Sequence, residues 1–170
     1  MKAVIVLAMQ GAPPLDFPEQ ELAEFTNLQA RLAHTFGAGE TAAHRRYAEL
    51  EAKIRTWPRT PRNDPFHAGS QDLAVQLRRA SGRKVVLGFD EFCGPSLDEA
   101  LDQAAGQSAE KIIIVTPILT RGGEYAEKDI PEAVERARRR HPKGSFIYAW
   151  PFPASEVADF LTAQAARAIG

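Results

Sequence analysis

Four short, continuous apolar runs constrain the fold of this sequence more than any other feature. They do not alternate between apolar and polar residues, and three of them are rich in β-branched residues. This pattern is typical of strands that are covered on both faces, as in a parallel sheet. The runs are Ala3–Ala8, Val85–Phe89, Ile112–Val115 and Phe146–Trp150. We therefore predict four parallel strands near residues 3–8, 84–89, 111–116 and 145–150.

Amphipathic patterns lie between and after these runs. Apolar residues spaced by three and four positions predict three helices before the second strand and one helix after each later strand. Right-handed connections between parallel strands then give an α/β fold, a four-stranded parallel sheet with helices on both faces. We expect residues 1–170 to form one such domain, with residues 17–66 as a helical excursion that ends in a proline-rich loop.

Several helix boundaries are predicted from residues that commonly begin or end helices. The first helix is expected to end at Gly37, while Thr41, Ser70 and Asp129 are expected to cap the helices that follow them. The last helix is expected to start near Ser155. Its predicted core-facing residues are Val157, Phe160, Leu161, Ala165 and Ala168.

The composition and charge of the chain exclude several classes of protein. A net charge of −1 gives no reason to expect binding to nucleic acid. The single cysteine, Cys93, excludes an internal disulfide framework and a multi-cysteine metal site. The N-terminal apolar run is too short for a signal peptide or a membrane span, and no other run is long enough. We therefore expect a cytoplasmic protein with no membrane-embedded part.

Ligands of open parallel sheets bind beyond the carboxyl ends of the strands, and this rule selects the candidate site. Asp90, Glu91 and Glu124 are the carboxylates available there for a metal ion or for proton transfer. Arg121 is suited to pair with a carboxylate of a substrate. The alternative interpretation of Asp90 and Glu91 is that they are solvated or capping groups. The four segments that follow the strands are Met9–Pro14, Asp90–Pro95, Thr116–Tyr125 and Pro151–Pro153.

The four histidines, His34, His44, His67 and His141, lie outside these segments. His67 is the one candidate ligand among them, because it follows the proline-rich loop that is expected to cover the end of the sheet. The alternative is that His67 is an ordinary loop residue without a ligand.

A combination of motifs in the stretch Val86–Pro131 points to a family. Phe89-Asp90-Glu91-Phe92 leads into Gly94-Pro95-Ser96-Leu97, and an apolar strand then precedes Pro117, Gly123 and Asp129-Ile130-Pro131. In this combination the sequence resembles the class II tetrapyrrole metal chelatases, which include sirohydrochlorin cobaltochelatases and the related ferrochelatases. The longer region from Asp16 to Phe66 looks more like the helical excursion of one ferrochelatase half.

The resemblance implies insertion of a divalent metal ion, cobalt or ferrous iron, into sirohydrochlorin or a related tetrapyrrole. The family binds the metal through two histidines, and their positions are held here by Gln10 and Tyr125, or by Glu124 if the alignment is shifted by one residue. Glu124 and Glu91 together would form an oxygen-rich site, and we expect these two carboxylates to be catalytic. The expected metal ligands are Gln10, Glu124 and Tyr125, and the expected tetrapyrrole contacts are Gln10, Gly11, Arg121 and Gly123.

Replacement of both family histidines leaves three functional hypotheses. The chain is a working chelatase that uses carboxylates, a degenerate relative that binds a tetrapyrrole without inserting metal, or a partner subunit of an active chelatase. The resemblance also implies a homodimer, as in the compact members of the family. For each hypothesis we expect Gln10, Glu91, Glu124 and Tyr125 to face one shared opening.

Overall fold

The computed structural model describes residues 2–33, 41–107 and 109–169, and His34 and the predicted helix end at Gly37 lie outside them. The four predicted strands are all present and form one parallel sheet in the order β2-β1-β3-β4. The strands are β1 (Ala3–Met9), β2 (Lys84–Phe89), β3 (Lys111–Val115) and β4 (Phe146–Tyr148). The predicted α/β fold class is thereby confirmed, while the assignment of residues 1–170 to one domain stays a prediction.

Helices connect the strands and cover both faces of the sheet. They are α1 (Glu19–Leu32), α2 (Ala42–Arg55), α3 (Pro65–Ser81), α4 (Leu97–Ala105), α5 (Ile130–Arg140) and α6 (Ala154–Ile169). A π-helical turn, Tyr125–Asp129, leads directly into α5. Among the residues that the structure describes, no helix is long and apolar enough to cross a membrane.

The two faces of the sheet are formed by alternate residues of each strand, because successive side chains of a strand point in opposite directions. Val4 and Val6 of β1 face the helices α4 and α5, in a core that includes the fully buried Ala100 and Leu101. Ile5 and Leu7 face α3 together with Ala74. Both faces are therefore apolar, which explains why the strands are continuous apolar runs in the sequence.

Helices α1 and α2 form a pair with its own apolar core near the carboxyl ends of the strands. The rings of Phe25 and Tyr47 stack with their centroids 4.9 Å apart. Phe25 also meets Phe92, in the loop after β2, edge-on at 6.0 Å. The helix pair is thus fixed beside the edge of the sheet where the sequence places the candidate site.

Two of the predicted helix starts are wrong. Helix α3 begins at Pro65 and not at Ser70, because the carboxylate of Asp64 accepts a hydrogen bond from the backbone N–H of His67 and caps the helix. Proline is tolerated at the first helical position, where the missing N–H has no partner in any case. Asp129 makes no capping hydrogen bond through its side chain, because the π-helical turn continues straight into α5.

The predicted burial of the last helix is also wrong. None of the described residues of α6 is buried, and the side chains of Phe160 and Leu161 are 57% and 54% exposed. Amphipathic spacing predicts that a helix has an apolar partner, but it does not say which surface supplies that partner.

Candidate functional site

The loops that follow β1 and β2 are joined through their backbones. The N–H of Asp90 donates to the carbonyl oxygen of Met9 at 2.9 Å, and the N–H of Glu91 donates to that of Gln10 at 2.8 Å. Gly11 has a φ of +101°, and a Cβ at this position would overlap with the carbonyl oxygen of Glu91. The structure therefore brings together Gln10, Gly11 and Glu91, three of the residues that the sequence assigned to the site.

Arg59 fastens these two loops to the helical excursion. Its guanidinium donates to the carbonyl oxygens of Ala12 at 3.1 Å, Ile54 at 3.0 Å and Phe92 at 2.5 Å. It also forms an ion pair with the carboxylate of Asp64, and both side chains are almost fully buried. The proline-rich loop that carries the pair is thus a fixed part of the structure, and the sequence analysis missed its role.

A cleft of about 280 Å³ lies between the α1–α2 pair, the loop after β2 and helix α5. Its lining is mainly polar and contains five carboxylates and two guanidinium groups. The lining residues are Phe25, Gln29, Tyr47, Glu51, Arg55, Asp90, Glu91, Phe92, Asp129, Glu132 and Arg136. The candidate carboxylates Asp90 and Glu91 are both in this lining. Of the four residues that were expected to face one shared opening, Glu91 is in the lining, whereas Gln10, Glu124 and Tyr125 are not.

Hydrogen bonds orient the groups at the base of the cleft. The side-chain amide of Gln29 donates to the Glu91 carboxylate at 3.2 Å. Arg55 donates to the backbone carbonyl oxygens of Asp90 and Cys93, each at 2.7 Å. The carboxylates of Asp90 and Glu91 are therefore held on a loop whose backbone is fixed by a cation from α2.

Burial raises the pKa of Asp90 to about 6, and the negative charges of Asp129 and Glu91 act in the same direction. The positive charges of Arg55 and Arg136 oppose this rise without cancelling it. Burial also raises the pKa of Asp129. Crowded carboxylates of this kind favour the uptake of a proton or a cation from solution.

Tyr125 points into the protein and not into the open cleft. Its side chain is 6% exposed, and its hydroxyl has no hydrogen-bond partner among the described residues. Burial, together with the negative charge of Asp90, raises the pKa of the phenol far above its usual range. Because a tyrosine binds metal ions well only as a phenolate, this position opposes its use as a ligand.

Glu124, Arg121 and Gly123 lie on an exposed rim, outside the lining of the cleft. The carboxylate of Glu124 accepts a hydrogen bond from the Lys128 ammonium at 3.0 Å. The guanidinium of Arg121 lies over the ring of Trp150, 5.8 Å from its centroid. The Arg121 guanidinium also forms an exposed ion pair with the carboxylate of Glu127 at 3.4 Å. The rim thus presents an aromatic surface and two exposed ion pairs, Arg121–Glu127 and Lys128–Glu124.

His67 lies away from the cleft. Its ring stacks on Phe89 with the centroids 5.4 Å apart, in a separate cavity of about 610 Å³ along the outer edge of β2. Within residues 2–33, 41–107 and 109–169, no group of three or more His, Cys, Asp and Glu side chains is arranged to hold a metal ion.

The sequence did not indicate the two cations of the cleft, Arg55 and Arg136, or three of its five carboxylates, Glu51, Asp129 and Glu132. They come from α2, α5 and the π-helical turn, which are far apart in the sequence. The motif Asp129-Ile130-Pro131 could have indicated Asp129. It was interpreted as a family motif and as the start of a helix, and Asp129 was not assigned to the site.

Comparison with known proteins gives a family match and several partial relatives. The model of the CbiX family matches residues 62–168. The sirohydrochlorin ferrochelatase of Priestia megaterium is 31% identical over 74 residues, which are 43% of this chain and 27% of that protein. The sirohydrochlorin cobaltochelatase of Sulfurisphaera tokodaii is 37% identical over 71 residues, which are 40% of this chain and 58% of that protein. The match thus spans less than two thirds of the length of either relative.

Two solved structures show a distant likeness. The sirohydrochlorin chelatase SirB of Bacillus subtilis subspecies spizizenii, in complex with cobalt, has 20% sequence identity and a TM-score of 0.45, over 89% of this chain and 44% of SirB. A CbiX protein of Marinobacter aquaeolei VT8 has 17% identity and a TM-score of 0.44 over the full length of both chains. Neither likeness is close enough to carry an argument about the site.

Proposed function

The chain belongs to the CbiX family, and on that premise we propose that it is a chelatase that inserts a divalent metal ion into sirohydrochlorin or a related tetrapyrrole. Cobalt and ferrous iron are the proposed substrate metals, because the partial relatives are named as cobaltochelatase and ferrochelatase. The observation that carries the proposal is the convergence of Asp90, Glu91 and Asp129 in one cleft at the carboxyl ends of the strands.

Metal insertion requires a group that accepts protons. Two pyrrole N–H bonds break while the metal ion binds to the ring nitrogens, and the two protons must leave the macrocycle. We assign this role to Glu91, with Asp90 beside it, because both carboxylates line the cleft and a positioned carboxylate is an effective general base. The hydrogen bond from Gln29 orients the Glu91 carboxylate for this purpose.

Delivery of the metal ion requires weak and open coordination. Gln10 and Glu91 lie together through their backbone hydrogen bond, and they offer oxygen donors that release a metal ion readily. Glu124 on the exposed rim is the proposed first carboxylate that an incoming metal ion meets. Tyr125 is not proposed as a metal ligand, because burial raises the pKa of its hydroxyl and disfavours the phenolate form.

Binding of the tetrapyrrole is assigned to the rim. The macrocycle is flat and apolar with carboxylate arms, so that it needs an aromatic surface and a cation. Trp150 supplies the ring and Arg121 supplies the cation, and the two are already in contact at 5.8 Å. Gly11 and Gly123, one on each side of the strand ends, are the proposed backbone contacts.

A second candidate function is tetrapyrrole binding without insertion, either alone or as the partner subunit of an active chelatase. The buried phenol of Tyr125 favours this function, since a neutral tyrosine replaces an imidazole that would bind metal and accept a proton. In this alternative the rim is retained and the cleft has no catalytic role.

An absorbance titration separates these functions. Sirohydrochlorin is added to the protein first, and cobalt or ferrous iron is added afterwards, with a matched sample that lacks protein to give the spontaneous rate. We expect a spectral shift on binding and a faster conversion to the metallated spectrum in the presence of the protein. Binding with only the spontaneous conversion rate would select the second function, and the absence of binding would contradict both.

A further inference from the structure

A second cavity lies along the outer edge of β2, on the side of this strand opposite β1. The sheet order β2-β1-β3-β4 makes β2 an edge strand, and in the described part of the chain no strand pairs with its outer side. Residues 84–87 all line this cavity of about 610 Å³, although their side chains alternate between the two faces of the sheet. The cavity therefore follows the edge of the strand itself, and we call it the edge trough.

Helices α3 and α4 form the two walls of the edge trough. Gln71 and Arg78 line it from α3, which covers one face of the sheet, and Gln103 lines it from α4, which covers the other. Gln107, just beyond the end of α4, extends the second wall. The trough thus lies between the two helical layers, in the position that a fifth strand of the sheet would occupy.

The backbone of β2 directs polar groups into the edge trough. The N–H of Phe89 donates to the carbonyl oxygen of Pro95 at 2.9 Å, and the carbonyl oxygen of Val85 accepts from the guanidinium of Arg78 at 3.4 Å. Both backbone groups therefore point away from β1. Because the N–H and C=O of one strand residue point to the same side, and this side alternates along the strand, Leu87 directs both of its groups outwards as well.

The ionisable groups that line the edge trough are basic. Lys84 is the first residue of β2, and Arg78 reaches the same end of the strand. His67 lies at the opposite end, stacked on Phe89. In the part of the chain that the structure describes, no carboxylate lines the trough, whereas the cleft of the proposed active site contains five. An occupant of the trough is therefore expected to carry negative charge.

The side chain of Gln107 carries an acceptor that is not satisfied within the described residues. Its Oε1 atom is buried and has no hydrogen-bond partner among them. Buried acceptors without a donor are rare in folded proteins, because desolvation of the acceptor is not compensated. Since Gln107 lines the edge trough, an occupant that brings N–H groups into the trough would satisfy this atom.

We propose that the edge trough binds an extended acidic peptide segment, which adds a fifth strand to the sheet beside β2. The backbone of the segment pairs with Leu87, an amide of the segment donates to Gln107, and its carboxylates meet Arg78 and Lys84. A small anion would use the cations but would leave the edge of the strand unpaired. The trough shares no lining residue with the cleft, so that the inference does not rest on the proposed function.

Binding of two synthetic peptides tests the proposal and identifies the source of the carboxylate. The first is a fluorescent heptapeptide of alternating valine and glutamate with an amidated C-terminus, and the second has serine in place of glutamate and a free C-terminus. We expect saturable binding of at least one of them below about 1 mM, measured by fluorescence anisotropy. Lysine in place of every glutamate should weaken binding of the first at least about tenfold. The absence of saturable binding by both peptides would overturn the proposal.

Methylation of peptide amides distinguishes strand addition from simple attraction between charges. Alternate amides of a strand point to the same side, so that one alternate set faces β2 and the other faces away. Methylation of one set should therefore weaken binding at least about tenfold more than methylation of the other. Equal binding of the two methylated peptides and the unmodified peptide would mean that no backbone pairing takes place, and it would overturn the proposal.

Charge reversal in the protein tests the location of the peptide. Arg78→Glu and Lys84→Glu should each weaken binding of the glutamate peptide at least about tenfold, since each replaces an attraction by a repulsion. Arg79→Glu is the matched control, because Arg79 is the next residue of α3 and lies outside the lining of the trough. It should change the affinity by no more than about twofold. Unchanged affinity in both trough variants, with their folds intact, would overturn the proposal.

Hydrogen exchange of the Leu87 N–H, followed by NMR, tests the backbone pairing directly. Exchange should slow at least about tenfold when the peptide binds, whereas the N–H of Val86, which points towards β1, should change little. Binding without protection of Leu87 would place the peptide elsewhere and overturn the proposal. Protection of Leu87 that rises with protein concentration in the absence of peptide would show that a second copy pairs with this edge, and it would overturn the proposal as well.

Discussion

Gly11 packs so tightly against Glu91 that a Cβ on the glycine would overlap with the carbonyl oxygen of the glutamate. The φ of +101° at Gly11 is also one that other residues adopt only with strain. The loops after β1 and β2 therefore fix each other at the carboxyl end of the sheet, where Glu91 enters the proposed site.

Gly11→Ala is expected to lower the free energy of unfolding more than Gly122→Ala. Both glycines have positive φ, at +101° and +95°, so that alanine brings backbone strain of about 1–2 kcal/mol to either. A Cβ at Gly122 meets open space, whereas one at Gly11 must displace backbone, which adds about 1–3 kcal/mol. Urea unfolding of the two variants measures the difference. An equal loss of unfolding free energy in the two variants would mean that the close contact of Gly11 with Glu91 does not exclude a Cβ at position 11.

The Arg59–Asp64 pair gives a second prediction. Arg59→Ala leaves the buried carboxylate of Asp64 without its cation, and the free energy of unfolding should fall by about 3–5 kcal/mol. Arg46→Ala, which removes an exposed ion pair with Glu24, serves as the control and should lower the free energy of unfolding far less, because exposed pairs are screened by solvent. Chemical denaturation compares the two variants, and a similar small loss in both would show that Arg59 does not hold the loops together.

The strands were predictable because their signal is local. The structure has strands at all four apolar runs, although β4 ends at Tyr148 and is shorter than predicted. Helix α4 was predictable for the same reason, since Ser96 and Glu99 form a capping box directly before the apolar stripe. Such features depend on residues that are neighbours in the sequence.

The site was less predictable because its groups meet only in three dimensions. The prolines around Arg59 and Asp64 predicted a loop, but they did not indicate the buried ion pair between these two side chains. The register of the family motif placed Tyr125 at a ligand position, but only the fold shows that its phenol is buried. The periodicity of α6 likewise did not indicate that its apolar side chains would be exposed.

Asp90 gives a pH-dependent prediction. Its pKa of about 6 in the folded protein lies above the ordinary value of 3.8, because of burial and the charges of Asp129 and Glu91, which outweigh those of Arg55 and Arg136. The folded state therefore holds the proton more tightly than the unfolded state. The stabilising contribution is complete below about pH 4 and is lost as the pH rises through about 6.

Asp90→Asn removes this contribution, since the amide stays neutral across the same pH range. We therefore compare the unfolding free energy of the unchanged protein with that of the variant. The difference should fall by roughly 1 to 2 kcal/mol between pH 4 and pH 7, once solvent screening is taken into account. Denaturation curves at several pH values measure this change. A constant difference between the two proteins would contradict the raised pKa of Asp90.

The most direct test of the proposed chelatase function is the rate of cobalt insertion into sirohydrochlorin by Glu91→Gln and Glu124→Gln, measured by absorbance against the unchanged protein. Glu91 lines the cleft, while Glu124 lies on the exposed rim in a pair with Lys128. We predict that Glu91→Gln lowers the rate above the spontaneous background by at least about 100-fold, as expected for the loss of a general base, and that Glu124→Gln changes it by only a few-fold. An unchanged rate for Glu91→Gln, with its fold intact, would contradict the assignment of the chemistry to the cleft.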